Sequence, residues 1–479
     1  MLFNSLGYAI FLPLIFILYW SIPSKLWRQQ NLLLLLASYF FYGCWDWRFV
    51  FLLGFSTVLD YYTGLRIQSE QSPSSKKFWL WLSIAINLGF LSIFKYFNFF
   101  IDSMIDVGID IPHVVLKIVL PVGISFYTFH GLSYVIDIYY GRIKPEGNFA
   151  TYALFVSFFP LLVAGPIERA THLLPQLKKD RFFNRSEATD GLRQILWGLF
   201  KKVVVADNCA TLADQVFNNS SHQSGSTLIA GAFFFAFQIY CDFSGYSDIA
   251  LGSAKLFGIR LLRNFAYPYF SRDIAEFWRR WHISLSSWFK DYLYIPLGGS
   301  RVNKLLQIRN TFIIFIISGF WHGANWTFIA WGFLNALYFI PLLLLNKNRV
   351  HVEIVADDRS FPSLKELAQM ATTFAMTTVA WIFFRADSIS HAISIFDRIL
   401  SSSTLSLPRL INPKLALLAF LFIGILVTLE WIGRNNQHAL ERLALSWNRF
   451  YRLAIYILFI FMIGMYMQTD ETPFIYFQF

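Results

Sequence analysis

Residues 78–100 read FWLWLSIAINLGFLSIFKYFNFF, and Lys95 is the only charged residue in this stretch. A helix that crosses a bilayer needs about 20 mostly apolar residues, so the stretch predicts a transmembrane helix. Comparable apolar runs cover residues 2–20, 367–384, 415–431 and 453–467, and a shorter run covers 31–43. Their recurrence predicts an integral membrane protein.

The composition of the whole chain agrees with this prediction. Of 479 residues, 56% are apolar and 14% are charged, whereas soluble domains average about 25% charged residues. A net charge of +11 would indicate a nucleic-acid partner in a soluble protein. Cytoplasmic loops of membrane proteins collect Lys and Arg, however, so we expect no nucleic acid here. The three cysteines form no CxxC pair, and we expect neither a disulfide framework nor a metal site.

The apolar runs predict one membrane domain over residues 1–479, all-α and polytopic, with about 11–12 transmembrane helices. The expected spans are 2–20, 31–43, 48–64, 78–100, 117–139, 195–217, 227–258, 311–321, 326–345, 366–384, 414–433 and 453–468. The first run lacks a basic flank and a small-residue cleavage site, so we expect it to be retained as a span. Residues 311–321 are too few to cross alone, and residues 152–166 are typical of a re-entrant segment, with a full span as the alternative. Short and re-entrant segments are tolerated where protein lines them.

The distribution of basic residues predicts an orientation. With the N-terminus outside, the inner loops hold 30 of the 40 Lys and Arg residues, and the outer loops and outer span ends hold 7. The basic loops of membrane proteins are the cytoplasmic ones. The loop 259–310 is therefore expected inside the cell.

That loop combines aromatic and basic residues at near-helical spacing. Its aromatic residues are Phe277, Trp278, Trp281, Trp288 and Phe289. The pattern is typical of a helix lying at the cytoplasmic membrane surface. Arg279 and Arg280 then have two interpretations, contact with anionic lipid or contact with the phosphates of a soluble donor.

Three of the nine histidines, His130, His282 and His322, lie in or beside apolar segments. Histidine is the side chain best suited to move protons near neutral pH. His322 stands in SGFWHGANW, residues 318–326, where glycines flank an ionisable group that is costly at membrane depth. We interpret it as functional, the alternative being a neutral histidine that holds a backbone carbonyl. For His130 a hydrogen bond to a neighbouring helix is the favoured interpretation.

Two carboxylates, Asp242 and Asp248, lie within the apolar stretch YCDFSGYSD, residues 240–248, with a glycine between them. Buried carboxylates need partners, and we expect them to pair with nearby arginines. The sequence has no P-loop, no GxSxG, no HExxH and no dinucleotide fingerprint. An ATP-driven pump is therefore not expected.

Several motifs together resemble the membrane-bound O-acyltransferase family, and within it the bacterial alginate O-acetyltransferase branch. They are LVAGPI (162–167), DFSGYSDIA (242–250), YIPLGGS (294–300), GFWHGANW (319–326) and WIFFRA (381–386), in family order over nearly the whole chain. The resemblance implies a fold with a tunnel across the membrane, His322 as the family's invariant histidine and His282 as a second functional histidine. His130 departs from the branch, which more often has Gln at this position.

The resemblance also implies a thioester donor that enters from the cytoplasm, acetyl-CoA or the phosphopantetheine arm of an acyl carrier, with no bound cofactor. Acyl transfer needs a base and donors for the developing oxyanion. We expect His322 as the base, or as the residue that orients and polarises the reactants. Asn325, or backbone N–H groups near Gly323, are the expected oxyanion donors. The residues expected to guide the donor are His282, Arg279, Arg280, Trp281 and Trp326.

Residues 472–479, TPFIYFQF, resemble the C-terminal tail of a small partner in teichoic-acid D-alanylation. The resemblance implies that Tyr476 acts as an acyl relay. The alternative is an aromatic plug at the outer membrane surface, where aromatic residues anchor readily.

These expectations combine into an O-acetyltransferase of the bacterial inner membrane that serves an extracytoplasmic polysaccharide, with alginate the leading candidate. The expected partners are an SGNH-type (serine hydrolase-like) acetyltransferase outside the membrane, a polysaccharide synthesis or export complex, and membrane lipid. The alternatives are D-alanyl transfer to teichoic acid, a polysaccharide or lipid transporter, and a non-catalytic subunit of an export complex.

Overall fold

The computed structural model describes all residues except 113, 114, 117, 118, 164, 444, 446, 468–473 and 476–479. Its regular elements are helices, and no strand occurs among the residues it describes. The predicted all-α polytopic fold is therefore confirmed. The chain forms two compact units, Met1–Ile195 with Ile249–Leu262, and Leu196–Asp248 with Arg263–Phe479.

The first unit contains the N-terminal helices. These are α1 (Leu6–Ser21), α2 (Trp27–Gly43), α3 (Arg48–Ser69), α4 (Pro73–Leu91), α5 (Phe97–Asp106), α6 (Ile124–Tyr139), α7 (Phe149–Ser157), α8 (Phe159–Leu162) and α9 (Ala170–Leu177). A π-helical turn, Ser92–Tyr96, joins α4 to α5. Part of the core consists of aromatic rings, with Phe41 packed 5.7 Å from Phe159 and 6.0 Å from Tyr8 between ring centroids.

The second unit contains most of the remaining helices. In chain order they are α10 (Arg185–Leu199, which begins in the first unit), α11 (Asp207–Phe217), α12 (Gly225–Leu256, which ends in the first unit), α13 (Ile274–Arg280), α14 (Ile283–Phe289), α15 (Lys304–His322), α16 (Trp326–Leu344), α17 (Leu364–Arg385), α18 (Ile389–Ile399), α19 (Pro413–Ile432) and α20 (Arg449–Tyr466). The second unit also contains two π-helical turns. Phe200–Ala206 joins α10 to α11, and Lys290–Tyr294 follows α14.

Within the described ranges, six helices are long and apolar enough to cross a bilayer. They are Pro73–Asp106, Gly225–Leu256, Trp326–Leu344, Leu364–Arg385, Pro413–Ile432 and Arg449–Tyr466. A seventh span results if Leu6–Ser21 and Ser24–Gly43, which meet at a bend of 111°, are counted as one. This is fewer than the 11–12 predicted, partly because the predicted spans at α1, α2 and α6 are helices of only 16 or 17 residues.

Two local predictions differ from the structure. The segment expected to be too short to cross, 311–321, belongs to the 19-residue helix α15, which begins at Lys304 because the Asn303 side chain caps its first turn. The loop expected to hold an interfacial helix contains two seven-residue helices, α13 and α14. Phe277 and Trp281 of this region are buried in protein, at 1% and 0% exposure.

Candidate active site

His322 is the last residue of α15, and only 2% of it is exposed. Three aromatic rings surround its imidazole, with centroid distances of 4.9 Å to Trp321, 5.1 Å to Trp331 and 5.5 Å to Phe384. Trp331 lies on α16 and Phe384 on α17. Three helices of the second unit therefore meet at this imidazole.

Close packing of α15 against α16 fixes the position of His322. A Cβ atom on Gly319, one turn before His322, would lie 2.2 Å from the carbonyl oxygen of Phe328. A Cβ atom on Gly332 would lie 2.2 Å from the carbonyl oxygen of Phe315. Because neither position has room for a side chain, glycine is required for the two backbones to approach this closely.

His282 lies at the break between α13 and α14, with φ 43° in the left-handed region. Such a conformation is uncommon for a residue other than glycine and marks local strain. The residue is 1% exposed, and its burial lowers the pKa of the imidazole to about 3. His282 is therefore neutral at physiological pH.

The indole of Trp321 connects the two histidines. Its ring centroid is 6.0 Å from that of His282 and 4.9 Å from that of His322. The ring of Phe243 on α12 closes the other side of His282 at 4.7 Å. The fold thus brings together two histidines that are 40 residues apart in the sequence.

A cavity of about 580 Å³ lies in the second unit next to this pair. Its volume is in the range of small-molecule sites. Its wall includes Ser318, four residues before His322, and Ser286, whose backbone N–H donates to the carbonyl oxygen of His282 at 3.0 Å. Trp278, also in the wall, packs 5.6 Å from Trp331. The cavity thus comes within one helical turn of each histidine, although neither histidine lines it.

Three cations, Lys290, Lys304 and Arg349, line the cavity together with these residues, and all three are exposed. Lys304 Nζ donates to the carbonyl oxygen of Leu343 at 3.0 Å and to Oδ1 of Asn346 at 2.5 Å. The cavity therefore combines an apolar and hydroxyl-lined interior with a cationic margin. Sequence reasoning missed these three residues, whose only signal was their place in basic loops.

Arg279 and Arg280 contact other parts of the protein. Arg279 donates to the carbonyl oxygens of Asn348 at 2.8 Å and His351 at 2.6 Å. Arg280 pairs with Glu276 at 2.8 Å. The Arg279 contacts hold the loop after α16 against α13, whereas the Arg280–Glu276 pair lies within α13. A role of the two arginines in donor binding stays a prediction.

The other residues predicted for donor binding have different positions. Trp281 is fully buried, with its ring centroid 5.0 Å from that of Trp381. Asn325 caps α16, its Oδ1 accepting from Thr327 N–H at 3.0 Å and its Nδ2 donating to the carbonyl oxygen of Asp387 at 2.9 Å. Trp326 is 53% exposed. Tyr476 lies outside the described residues, so its relay role stays a prediction.

The buried carboxylates of α12 pair with lysines, so the expected pairing with arginines was wrong. Asp242 lies 2.8 Å from Lys202 Nζ, and Asp248 lies 2.5 Å from Lys201 Nζ. A Cβ atom on Gly245, between the two carboxylates, would lie 2.8 Å from the carbonyl oxygen of Gly198. Because Gly245 has no side chain, the backbone that carries Lys201 and Lys202 can approach α12 here. This explains why a glycine lies between the two carboxylates of the DFSGYSD motif.

Known proteins resemble the chain over most of its length. The sequence pattern of the membrane-bound O-acyltransferase family matches residues 142–368. A probable alginate O-acetylase of Pseudomonas putida is 35% identical, with 98% of each chain covered. A peptidoglycan O-acetyltransferase of Helicobacter pylori is 32% identical, with 100% of this chain and 98% of the relative covered. A teichoic acid D-alanyltransferase of Streptococcus thermophilus is 29% identical over 58% of this chain and 68% of its own.

Both O-acetylating relatives cover nearly the whole chain at more than 30% identity, and the resemblance found in the sequence motifs is confirmed. The spanning helices agree with a multi-pass membrane protein. The chain therefore belongs to the membrane-bound O-acyltransferase family, in the branch of the alginate O-acetylases, and is a membrane O-acetyltransferase.

Proposed function

We propose that this protein takes acetyl groups from acetyl-CoA on the cytoplasmic side of the bacterial inner membrane and passes them outward for O-acetylation of a polysaccharide, with alginate the leading acceptor. One observation supports the donor side above all. A cavity with a cationic margin, formed by Lys290, Lys304 and Arg349, comes within one helical turn of His282 and His322.

The chemistry of the donor fits the cavity lining. Coenzyme A joins several phosphates to a long pantetheine arm, and Lys and Arg are the side chains that bind phosphate. All three cations belong to segments 259–310 and 346–365, which the charge distribution assigns to the cytoplasm. The phosphates then stay at the margin, and the thioester reaches inward towards Ser318. A phosphopantetheine arm of a carrier protein has the same chemistry and is the alternative donor.

The transfer step follows ordinary acyl chemistry. A hydroxyl oxygen attacks the thioester carbonyl, a C–O bond forms and the C–S bond breaks. His322 takes the hydroxyl proton and returns it to the leaving sulfur, which departs as a free thiol. His282 assists in holding the donor, and Asn325 or backbone N–H groups near Gly323 stabilise the oxyanion. The tunnel that the family resemblance implies would serve this transfer, because charged CoA cannot cross about 30 Å of hydrocarbon, whereas an acetyl group can be handed over.

On the outer side, we propose that Tyr476 receives the acetyl group as an ester. An SGNH-type acetyltransferase partner then moves it to sugar hydroxyls, within a polysaccharide synthesis or export complex. The names of the O-acetylating relatives, which include alginate and peptidoglycan enzymes, support acetyl as the group and a polysaccharide as the acceptor. D-alanyl transfer is less well supported, because the relatives with that name match shorter parts of the chain.

The donor site is tested by removing its charges. We expect the double variant Lys304→Gln with Arg349→Gln to raise the KM for acetyl-CoA roughly tenfold and to change kcat little, since the lost contacts act equally on bound donor and transition state. The measurement is release of free CoA thiol by the protein in nanodiscs at several acetyl-CoA concentrations. The acceptor is identified in the same preparation by offering alginate, cellulose and peptidoglycan with the partner.

The neighbouring cation Lys347 supplies the control, because it lies in the same basic segment but does not line the cavity. Lys347→Gln removes one charge and should leave KM within about twofold of the wild type, as expected for an exposed charge. Equal KM values for wild type and double variant would exclude this cavity as the donor site. Turnover of D-alanyl carrier protein with none of acetyl-CoA would reject the acetyl assignment.

A further inference from the structure

Two residues near the end of the sequence, Phe474 and Ile475, are buried in the second unit at 0% and 3% exposure. The last residues of a domain are usually poorly ordered unless specific contacts tie them down. This pair therefore needs an explanation in terms of what holds it.

The strongest contact of the pair is with Asp242, in the middle of α12. The backbone N–H of Ile475 donates to Asp242 Oδ2 at 2.7 Å. The other carboxylate oxygen, Oδ1, lies 2.8 Å from Lys202 Nζ, which also lies 2.8 Å from Asp207 Oδ1. Hydrogen bonds to an ionised carboxylate are about twice as strong as neutral ones. One side chain thus joins a buried ion-pair cluster to the backbone of the terminal segment.

The ring of Phe474 packs on the same face of α12. Its centroid is 4.8 Å from that of Tyr246 and 5.5 Å from that of Phe243, residues one helical turn apart. Phe243 is also the ring that lies 4.7 Å from His282. The terminal pair is therefore separated from the second histidine of the candidate active site by one phenyl ring.

The cluster itself depends on a local irregularity of the backbone. Lys201 and Lys202 lie in the π-helical turn Phe200–Ala206, and they reach two different carboxylates of α12, Asp248 and Asp242. π-helical turns occur frequently at functional sites. Among the described residues, the hydrogen bond to the terminal segment is made by Asp242, so substitutions at Asp242 and at Asp248 can be compared by experiment.

We propose that Asp242, held in place by Lys202, is a positioning residue that seats the Phe474–Ile475 segment against Phe243, the ring that packs on His282; we call this contact the seat. The next residue in the sequence is Tyr476, the proposed acetyl relay. The contact with Asp242 would then set the position from which the chain continues to Tyr476. This consequence rests on the proposed function, whereas the contact itself does not.

The seat is tested by digestion of the full-length protein in nanodiscs with a carboxypeptidase that also removes proline, with the C-terminal peptides followed by mass spectrometry. In the wild type, digestion should stop before Ile475 is removed. In Asp242→Ala, removal of Ile475 and Phe474 should be roughly tenfold faster or more, because a charge-assisted hydrogen bond no longer holds the segment.

Two further variants separate seating from folding. Ile475→Pro removes the N–H donor and leaves the Asp242–Lys202 pair untouched, so it should release the segment as Asp242→Ala does. Asp248→Asn breaks the neighbouring pair with Lys201 on the same helix and should retain wild-type protection. Wild-type protection in Ile475→Pro, or equal loss of protection in Asp248→Asn, would overturn the proposal.

The variant Tyr476→Phe distinguishes this inference from the relay. It keeps the ring and deletes the nucleophilic oxygen, so protection should equal that of the wild type while acetyl transfer to polysaccharide is lost. Full transfer by Tyr476→Phe would reject the relay and leave the seat intact. Lost protection in Tyr476→Phe would show instead that the tyrosine hydroxyl, rather than Asp242, holds the segment.

Discussion

The two units each contain a deeply buried histidine in a helix, and the two differ in what surrounds them. His130 of the first unit is 1% exposed and lies within α6, and its Nε2 accepts the backbone N–H of Glu168 at 3.0 Å. His322 of the second unit is 2% exposed and ends α15 among aromatic rings, one turn from a cavity wall. Burial alone therefore does not distinguish the two histidines, whereas the position of His322 at a helix end near a cavity makes it the candidate for catalysis.

The environment of His130 is organised around Glu168. This carboxylate, fully buried, lies 2.7 Å from His172 Nδ1 and accepts the backbone N–H of Leu262 at 2.5 Å. His130 and His172 thus both help to hold the chain at Glu168, as buried backbone groups require a partner. The hydrogen bond predicted for His130 is thus present, but its partner lies in the loop before α9 and not on a neighbouring helix.

The largest expected effect is on acetyl transfer, and it separates a substitution in the second unit from one in the first. His322→Ala should lower acetyl transfer by at least 100-fold, because general acid–base catalysis contributes about 10² to 10⁴ in rate. His130→Gln retains an acceptor for Glu168 N–H and should change transfer by less than about threefold. Both are measured as polysaccharide ester content at equal protein level. Similar losses in the two variants would remove the distinction between the two histidines.

A smaller effect, on the free energy of unfolding, tests whether the hydrogen bond of His130 stabilises the protein. His130→Ala leaves the buried N–H of Glu168 without its acceptor, which should cost about 1–3 kcal/mol of the free energy of unfolding. His130→Gln supplies an oxygen in its place and should restore most of that loss. The midpoint of unfolding by SDS, in the same detergent, compares the three proteins. If His130→Gln were as unstable as His130→Ala, the hydrogen bond would not be the cause.

The contrast between the units also explains what the sequence predicts. Long apolar runs predict the membrane helices because length and hydropathy are local properties, and the GFWHG motif singles out His322 for the same reason. The cavity was not predictable, because Lys290, Lys304 and Arg349 come from separate segments that meet only in the fold. The partners of Asp242 and Asp248 were missed for a related reason. The lysines lie 40 and 47 residues earlier in the sequence and approach the carboxylates where α12 has a glycine.

Helix breaks were the other source of error. The aromatic spacing from Phe277 to Phe289 suggests a continuous surface helix, but the chain bends at His282, where φ is 43°. Nothing in a periodic pattern reports a left-handed residue other than glycine. The same bend buries the aromatic rings in protein and places His282 beside Trp321. The feature that periodicity missed is thus the one that brings the two histidines together.

The smallest expected effect is the pH dependence that His282 gives to the second unit. Burial lowers the pKa of His282 from 6.5 to about 3, so the unfolded chain takes up a proton below pH 6.5 that the folded chain does not. The contribution of the neutral His282 side chain to the free energy of unfolding is present above pH 6.5 and is lost as the pH falls towards 3. By pH 5.5 the loss is about 1 kcal/mol. The pH dependence from His172 has the opposite sign, because its hydrogen bond to Glu168 raises the pKa of its imidazole. Its contribution to the free energy of unfolding is therefore lost as the pH rises.

Substitution of His282 isolates its share of this dependence from that of His172. Asn tolerates the left-handed conformation and does not titrate, so in His282→Asn the fall in unfolding free energy between pH 7.5 and 5.5 should shrink by about 1 kcal/mol. The measurement is unfolding by SDS at the two pH values, with His172→Gln as the matched variant from the first unit. His172→Gln should change the difference in the other direction, and by less, because the His172 side chain is 36% exposed and solvent screens its interaction with Glu168. An unchanged pH dependence in His282→Asn would mean that the imidazole takes up its proton equally well in the folded chain and is therefore reached by water.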